Sequence, residues 1–185
     1  MILSANILTL LCRQYSHEIA NSLFYASLHS WAEMRGLNGT AEYMAKQAAG
    51  ERGHADLILG YIHDRNEQLT LSSLDMPAEV PAEVPASFVD LFLLAQARER
   101  MTTDMIAAIK AQSEIEGDIF TCAWLMQPAS LIIEQIEEER TIQTILDRIT
   151  ARRGLVPMDS SSSVDMAEMP GEVIHDIDVW IKGLA

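Results

Sequence analysis

The sequence predicts an all-α protein: a four-helix bundle with one long crossover and a short fifth helix at the C-terminal end. Three observations predict it. Nine glycines and six prolines in 185 residues leave long runs free of helix breakers. Five segments repeat apolar residues at helical spacing. Between the second and third, residues 66–86 hold Pro77, Pro81 and Pro85 at every fourth position, which excludes helix. Connections of that length are uncommon in compact domains, but a bundle with one crossover requires one.

The first helix is expected over about 5–35, where Gly36 and Gly39 break it, and the second over about 40–65. The third follows the crossover over about 87–114, and the fourth runs over about 118–153. Pro128 falls inside the fourth and is expected to kink or bulge it, because proline removes a backbone donor. A break over Ser160 to Ser163 precedes the short last helix, over about 172–182. The whole chain reads as a single domain, 1–185, long enough for one sizeable core.

Acidic residues outnumber basic ones 27 to 13, for a net charge of −14. A field of that sign repels nucleic acid and anionic membranes and concentrates cations. The two cysteines, Cys12 and Cys122, are too few and too far apart for a disulfide framework, so a reducing cytoplasm is the expected compartment. The apolar start lacks a basic leading region and runs on into a helical pattern, which reads as mature protein. No stretch approaches the roughly 18 apolar residues of a membrane span.

Polar residues stand where the core should be. On the first helix, Leu11, Tyr15, Glu18, Ser22, Tyr25 and His29 share a face; on the third, Phe88, Phe92, Ala95, Glu99, Thr102 and Ile106 do. The second helix carries Glu51 and His54 three apart on one face, whereas His63 points nearly the other way and is expected at the surface. On the fourth, Leu131, Gln135, Glu138, Ile142, Ile145 and Ile149 form an apolar stripe, so Gln135 and Glu138 point inward while Glu134 and Glu137 lie to one side. An unpartnered buried carboxylate costs several kcal/mol or takes up a proton. One such residue is an accident, but one or two on each of four helices make a site. Four carboxylates call for about two divalent cations, and oxygen-rich ligation with one imidazole suits iron or manganese.

These residues, in this order, resemble those of bacterial non-haem ferritins over nearly the whole chain. The matching stretches are Glu18 to Tyr25, the Asn38 to Ala41 start of the second helix, Glu51 to His54, Leu91 and Phe92 leading to Glu99, and Glu134 to Glu139. The resemblance implies a ferritin-like bundle with a ferroxidase centre. One iron would be held by Glu18, Glu51 and His54, and a second by a bridging Glu51 with Glu99 and Glu138, Gln135 standing close by. Tyr25 matches the tyrosine that such proteins use beside the centre as hydrogen bonder or electron donor. The resemblance further implies Fe(II) as substrate, dioxygen or peroxide as oxidant, and a homo-oligomeric shell of 24 subunits around ferric mineral.

The chain departs from that pattern in three places. Gly50 stands where a glutamate often serves a third iron, which leaves Glu134 and Glu137 for such a site. The fourth helix is three residues longer than usual between Asp118 and Glu134, around Pro128. Arg52 occupies the position that supplies a haem-ligating methionine in bacterioferritins, so no haem is expected. Two other readings of the bundle stay open: a di-iron oxygenase or peroxidase, which would usually keep a second Glu-x-x-His where this chain has Gln135 and Glu138, and a non-catalytic helical shell or interaction subunit.

Overall fold

A computed structural model describes residues 2–71, 85–128, 130–153 and 169–185. Residues 72–84 of the expected crossover and the serine-rich break lie outside them. The described residues form α1 (Ala5–Glu33), α2 (Asn38–Asp64), α3 (Phe88–Glu116), α4 (Ile119–Leu125), α5 (Leu131–Arg153) and α6 (Gly171–Lys182), with no strand among them.

Local chemistry sets the ends of these helices. Ser4 caps α1 by accepting from the Ile7 amide, and Ser87 caps α3 by accepting from Asp90. Gly117, at φ +69°, takes the left-handed turn that closes α3, and Asp118 then caps α4 through the amides of Phe120 and Thr121. No side chain of its own start caps α2. Asp178 of α6 does so instead, accepting from the Gly39 amide at 3.1 Å and from the amide and hydroxyl of Thr40, both at 2.7 Å. A Cβ at position 39 would lie 2.0 Å from the Asp178 carbonyl oxygen, so this close docking requires glycine.

The fourth expected helix is a correction. In place of one helix over 118–153 the chain forms α4 and α5, separated by residues 126–130. Pro128 has no amide hydrogen, and its ring would strike the Trp124 carbonyl in a continuous helix. The last amides of α4 tighten to carbonyls three residues back, Met126 to Ala123 and Gln127 to Trp124. Ser130 then restarts the helix: its hydroxyl donates to the Leu125 carbonyl, and its own carbonyl accepts from Ile133 and Glu134.

Two apolar clusters fill the bundle. One gathers Phe24, Leu28, Met44, Leu91, Phe92, Ile142, Ile145 and, from α6, Ile177 and Ile181. The other gathers Ile7, Leu11, Ile58, Ile62, Ile106, Ile109, Leu125 and Leu131. On each long helix the stretch between the two clusters is where the buried polar residues fall: Glu18 on α1, Glu51 and His54 on α2, Glu99 on α3 and Gln135 on α5. The core is thus interrupted by a polar belt that all four long helices supply.

Candidate metal centre

The belt brings three of the expected residues within reach of one ion. Glu18, Glu51 and His54 each offer one ligand atom within 4.8 Å of the others, and all three are buried. Across from them, Glu99 is fully buried on α3; its two carboxylate oxygens accept from the Tyr25 hydroxyl and from Gln135 Nε2, the latter at 2.8 Å. Glu138 is half-buried one turn beyond Gln135's neighbour Glu134, and it acts electrostatically on Glu51, His54 and Tyr43. Tyr25 is completely buried.

The flanking acids divide. Glu134 accepts from His54 Nε2 at 2.6 Å, while the side chain of Glu137 is exposed. Among the described residues nothing lies within 4 Å of where a Cβ on Gly50 would stand. His63 is exposed, and Arg52 reaches back to the Ser22 hydroxyl at 3.3 Å.

Residues beyond the expected set complete the surroundings. Gln14 Nε2 donates to Glu18 Oε1 at 2.5 Å. Behind them His17 meets the Thr102 hydroxyl at 2.9 Å, which Asn21 also reaches at 3.1 Å. Burial, with the nearby Arg98 charge, lowers His17 to about 4 and keeps it neutral. Their signal in the sequence was the i, i+3 and i+7 spacing of 14, 17 and 21, one face over from the Glu18 stripe.

The electrostatics are those of carboxylates confined together. Burial first, then the neighbouring charges of Glu99 and Glu138, push Glu51 up to about 8; burial and Glu99 do the same to Glu138, also to about 8. Glu18 is pushed well above the usual carboxylate range by burial and by Glu51, and Glu99 is raised mainly by burial. Burial alone would lower His54, but Glu138, Glu18 and Glu134 outweigh it and raise the imidazole. Three carboxylate oxygens, Glu18 Oε2, Glu51 Oε1 and Glu138 Oε2, are buried with no hydrogen-bond partner among the described residues. Buried acceptors without donors are costly, and cations are the chemistry that satisfies them.

A pH dependence follows. Carboxylates whose pKa is raised in the folded state bind more protons there than in the unfolded chain, so they favour folding at low pH. That contribution is complete below the ordinary carboxylate range and is lost as pH rises to about 8. The melting temperature of the metal-free protein is therefore expected to fall between pH 5 and pH 8. With a saturating divalent cation, which replaces the protons, the fall should flatten or reverse; equal slopes with and without metal would contradict this account.

A belt of glutamates and one histidine across four long helices defines the class of carboxylate metal sites built in bundle cores. The chain belongs to the ferritin family, whose ferritin-like domain model matches residues 8–151. It is 27% identical over 149 residues to a bacterial non-heme ferritin of Staphylococcus epidermidis, covering 80% of this chain and 86% of that protein. It is 29% identical over 136 residues to one from Bacteroides fragilis, covering 74% and 81%. In fold it matches a crystal structure of an open pore ferritin from the archaeon Archaeoglobus fulgidus, with a TM-score of 0.76 and 22% identity over 97% of this chain and 98% of that one. No helix among the described residues is long and apolar enough to cross a membrane.

Proposed function

We propose that the protein is an iron-storage ferritin subunit that oxidises Fe(II) at a two-iron centre. The observation that carries this reading is the set of three unpartnered carboxylate oxygens, from α1, α2 and α5, buried between two apolar clusters. A fold gains nothing from such atoms unless cations visit them. Membership of the ferritin family makes iron the cation of choice.

Glu18, Glu51 and His54 hold one Fe(II). Glu51 bridges to a second, held with Glu99 and Glu138, and Gln135 stands beside it. Each iron gives up one electron, and dioxygen with two protons is carried to the peroxide level; peroxide itself can serve as the oxidant. Paired one-electron donors avoid free one-electron oxygen species, and the protein supplies fixed ligand geometry. Ferric iron must then leave for storage, so a neutral Gln135 in place of a second imidazole motif suits a transient site. Arg52 following Glu51 supports a haem-free subunit. The assembly is a homo-oligomeric shell of 24 subunits, in the cytoplasm.

Mixing the protein with Fe(II) in air tests the chemistry. The wild-type chain should accelerate oxidation well above buffer. Tyr25→Phe removes the hydroxyl that donates to Glu99, a bond to a charged acceptor worth about 1.5–3 kcal/mol. It is expected to slow the first turnover roughly 10- to 100-fold while anaerobic metal binding persists. A wild-type protein that leaves the oxidation rate at the buffer value would overturn the proposal.

A further inference from the structure

We propose that Glu134 is a positioning residue for His54, holding the imidazole so that Nδ1 faces the paired carboxylates; the proposal rests on the two-iron reading above. Glu134 sits in the first turn of α5, immediately after the break that Ser130 closes. Its Oε2 lies 2.6 Å from His54 Nε2, and on the ring's other side Nδ1 lies 3.3 Å from Glu51 Oε2.

The two carboxylates flanking the ring are not equivalent. Glu51 is 1% exposed and lies within the buried group with Glu18, whereas the Glu134 side chain is 38% exposed. A carboxylate oxygen at 2.6 Å from a ring nitrogen is an acceptor, so Nε2 carries the proton. In the neutral ring Nδ1 then keeps its lone pair, on the side where Glu18 and Glu51 present their oxygens. Without a cation, Nδ1 and Glu51 are two acceptors facing each other unless one takes up a proton. A divalent cation between them resolves that conflict. Glu134 thus selects the tautomer and orients the ring, as an outer carboxylate does in a carboxylate–histidine–metal triad.

The same contact gives Glu134 a task other than ligating an additional iron. That role needs its oxygens directed at other carboxylates, but Glu134 is engaged with His54, Glu137 is exposed, and position 50 has no side chain. On α5, Glu134 and Glu138 are one turn apart. Glu134 then serves the first iron through His54 while Glu138 serves the second directly.

Anaerobic titration of the assembled full-length protein with Co(II), whose visible bands report imidazole ligation, tests this. Glu134→Ala is expected to weaken the tighter Co(II) step about 10- to 100-fold and to shift its bands, with the number of Co(II) bound per chain unchanged. Glu134→Gln retains an oxygen that accepts from Nε2 and should recover most of the affinity, which also controls for folding. One Co(II) fewer per chain at unchanged affinity would make Glu134 a ligand and overturn the proposal, as would no change at all. A wild-type protein that binds no Co(II) would sink the two-iron reading itself, a result distinct from either.

Discussion

Replacing Glu51 by glutamine is expected to reduce rapid Fe(II) oxidation by at least about 100-fold and, in the same variant, to stabilise the metal-free protein. Loss of an outer-shell partner alone costs about 10- to 100-fold, and Glu51 is proposed as a direct ligand to both irons. An amide is a far poorer donor to a hard cation than a carboxylate. The stability effect has the opposite sign because Glu51 is 1% exposed, has one oxygen without a partner, and faces the charges of Glu99 and Glu138. Removing a buried negative charge that faces two others relieves their repulsion and its desolvation cost. Differential scanning of the metal-free variant at pH 8, where the wild-type carboxylate is substantially ionised, should show a higher melting temperature. A lower one would mean that Glu51 is held for the fold and not for metal. Opposed effects in one substitution mark a residue kept for activity at the expense of stability.

The second large effect lies at the junction of α2 with α4. Arg65 is 8% exposed and donates to Asp118 at 2.8 Å, to Thr121 at 3.0 Å and to the Tyr61 hydroxyl. Tyr61 in turn stacks on Trp124, with ring centroids 4.1 Å apart. One planar guanidinium therefore joins the end of α2 to the cap of α4, since Asp118 also accepts from two α4 amides. Arg65→Ala leaves Asp118 nine-tenths buried without that cation. The expected cost is about 2–4 kcal/mol, between that of an exposed pair and a fully buried one. Denaturant unfolding of the metal-free protein should read it as a lower midpoint at nearly constant m-value. Arg65→Lys keeps the charge without the fork and should recover only part of the loss; full recovery would show that charge alone matters.

Much of the bundle was legible because its signals are local. The 3.6-residue stripes place Glu18, Glu99, Gln135 and Ile142 on faces that are in fact buried. Pro128 signalled trouble in the fourth helix, but not its severity. Whether a proline kinks a helix or splits it depends on who satisfies the freed backbone groups, here Ser130 with Leu125. The cap of α2 was illegible for a similar reason, because Asp178 stands 138 residues from Thr40. Around the centre, periodicity assigned residues to faces but not to partners. Glu134 lay correctly to one side of the apolar stripe, yet nothing in α5 announces that His54 of α2 lies 2.6 Å away. Nor could spacing anticipate that Arg65 reaches Asp118 in the α3–α4 turn and Thr121 of α4.

Two irons sharing Glu51 at the middle of the bundle is the arrangement on which the proposed chemistry depends. Anomalous diffraction at the iron edge, from crystals soaked anaerobically in Fe(II), tests it most directly. Two peaks per chain are expected about 3.5–4 Å apart, one beside Glu18 and His54 and one beside Glu99 and Glu138, with Glu51 between them. A single peak, or iron found only on exposed carboxylates with the belt empty, would contradict it.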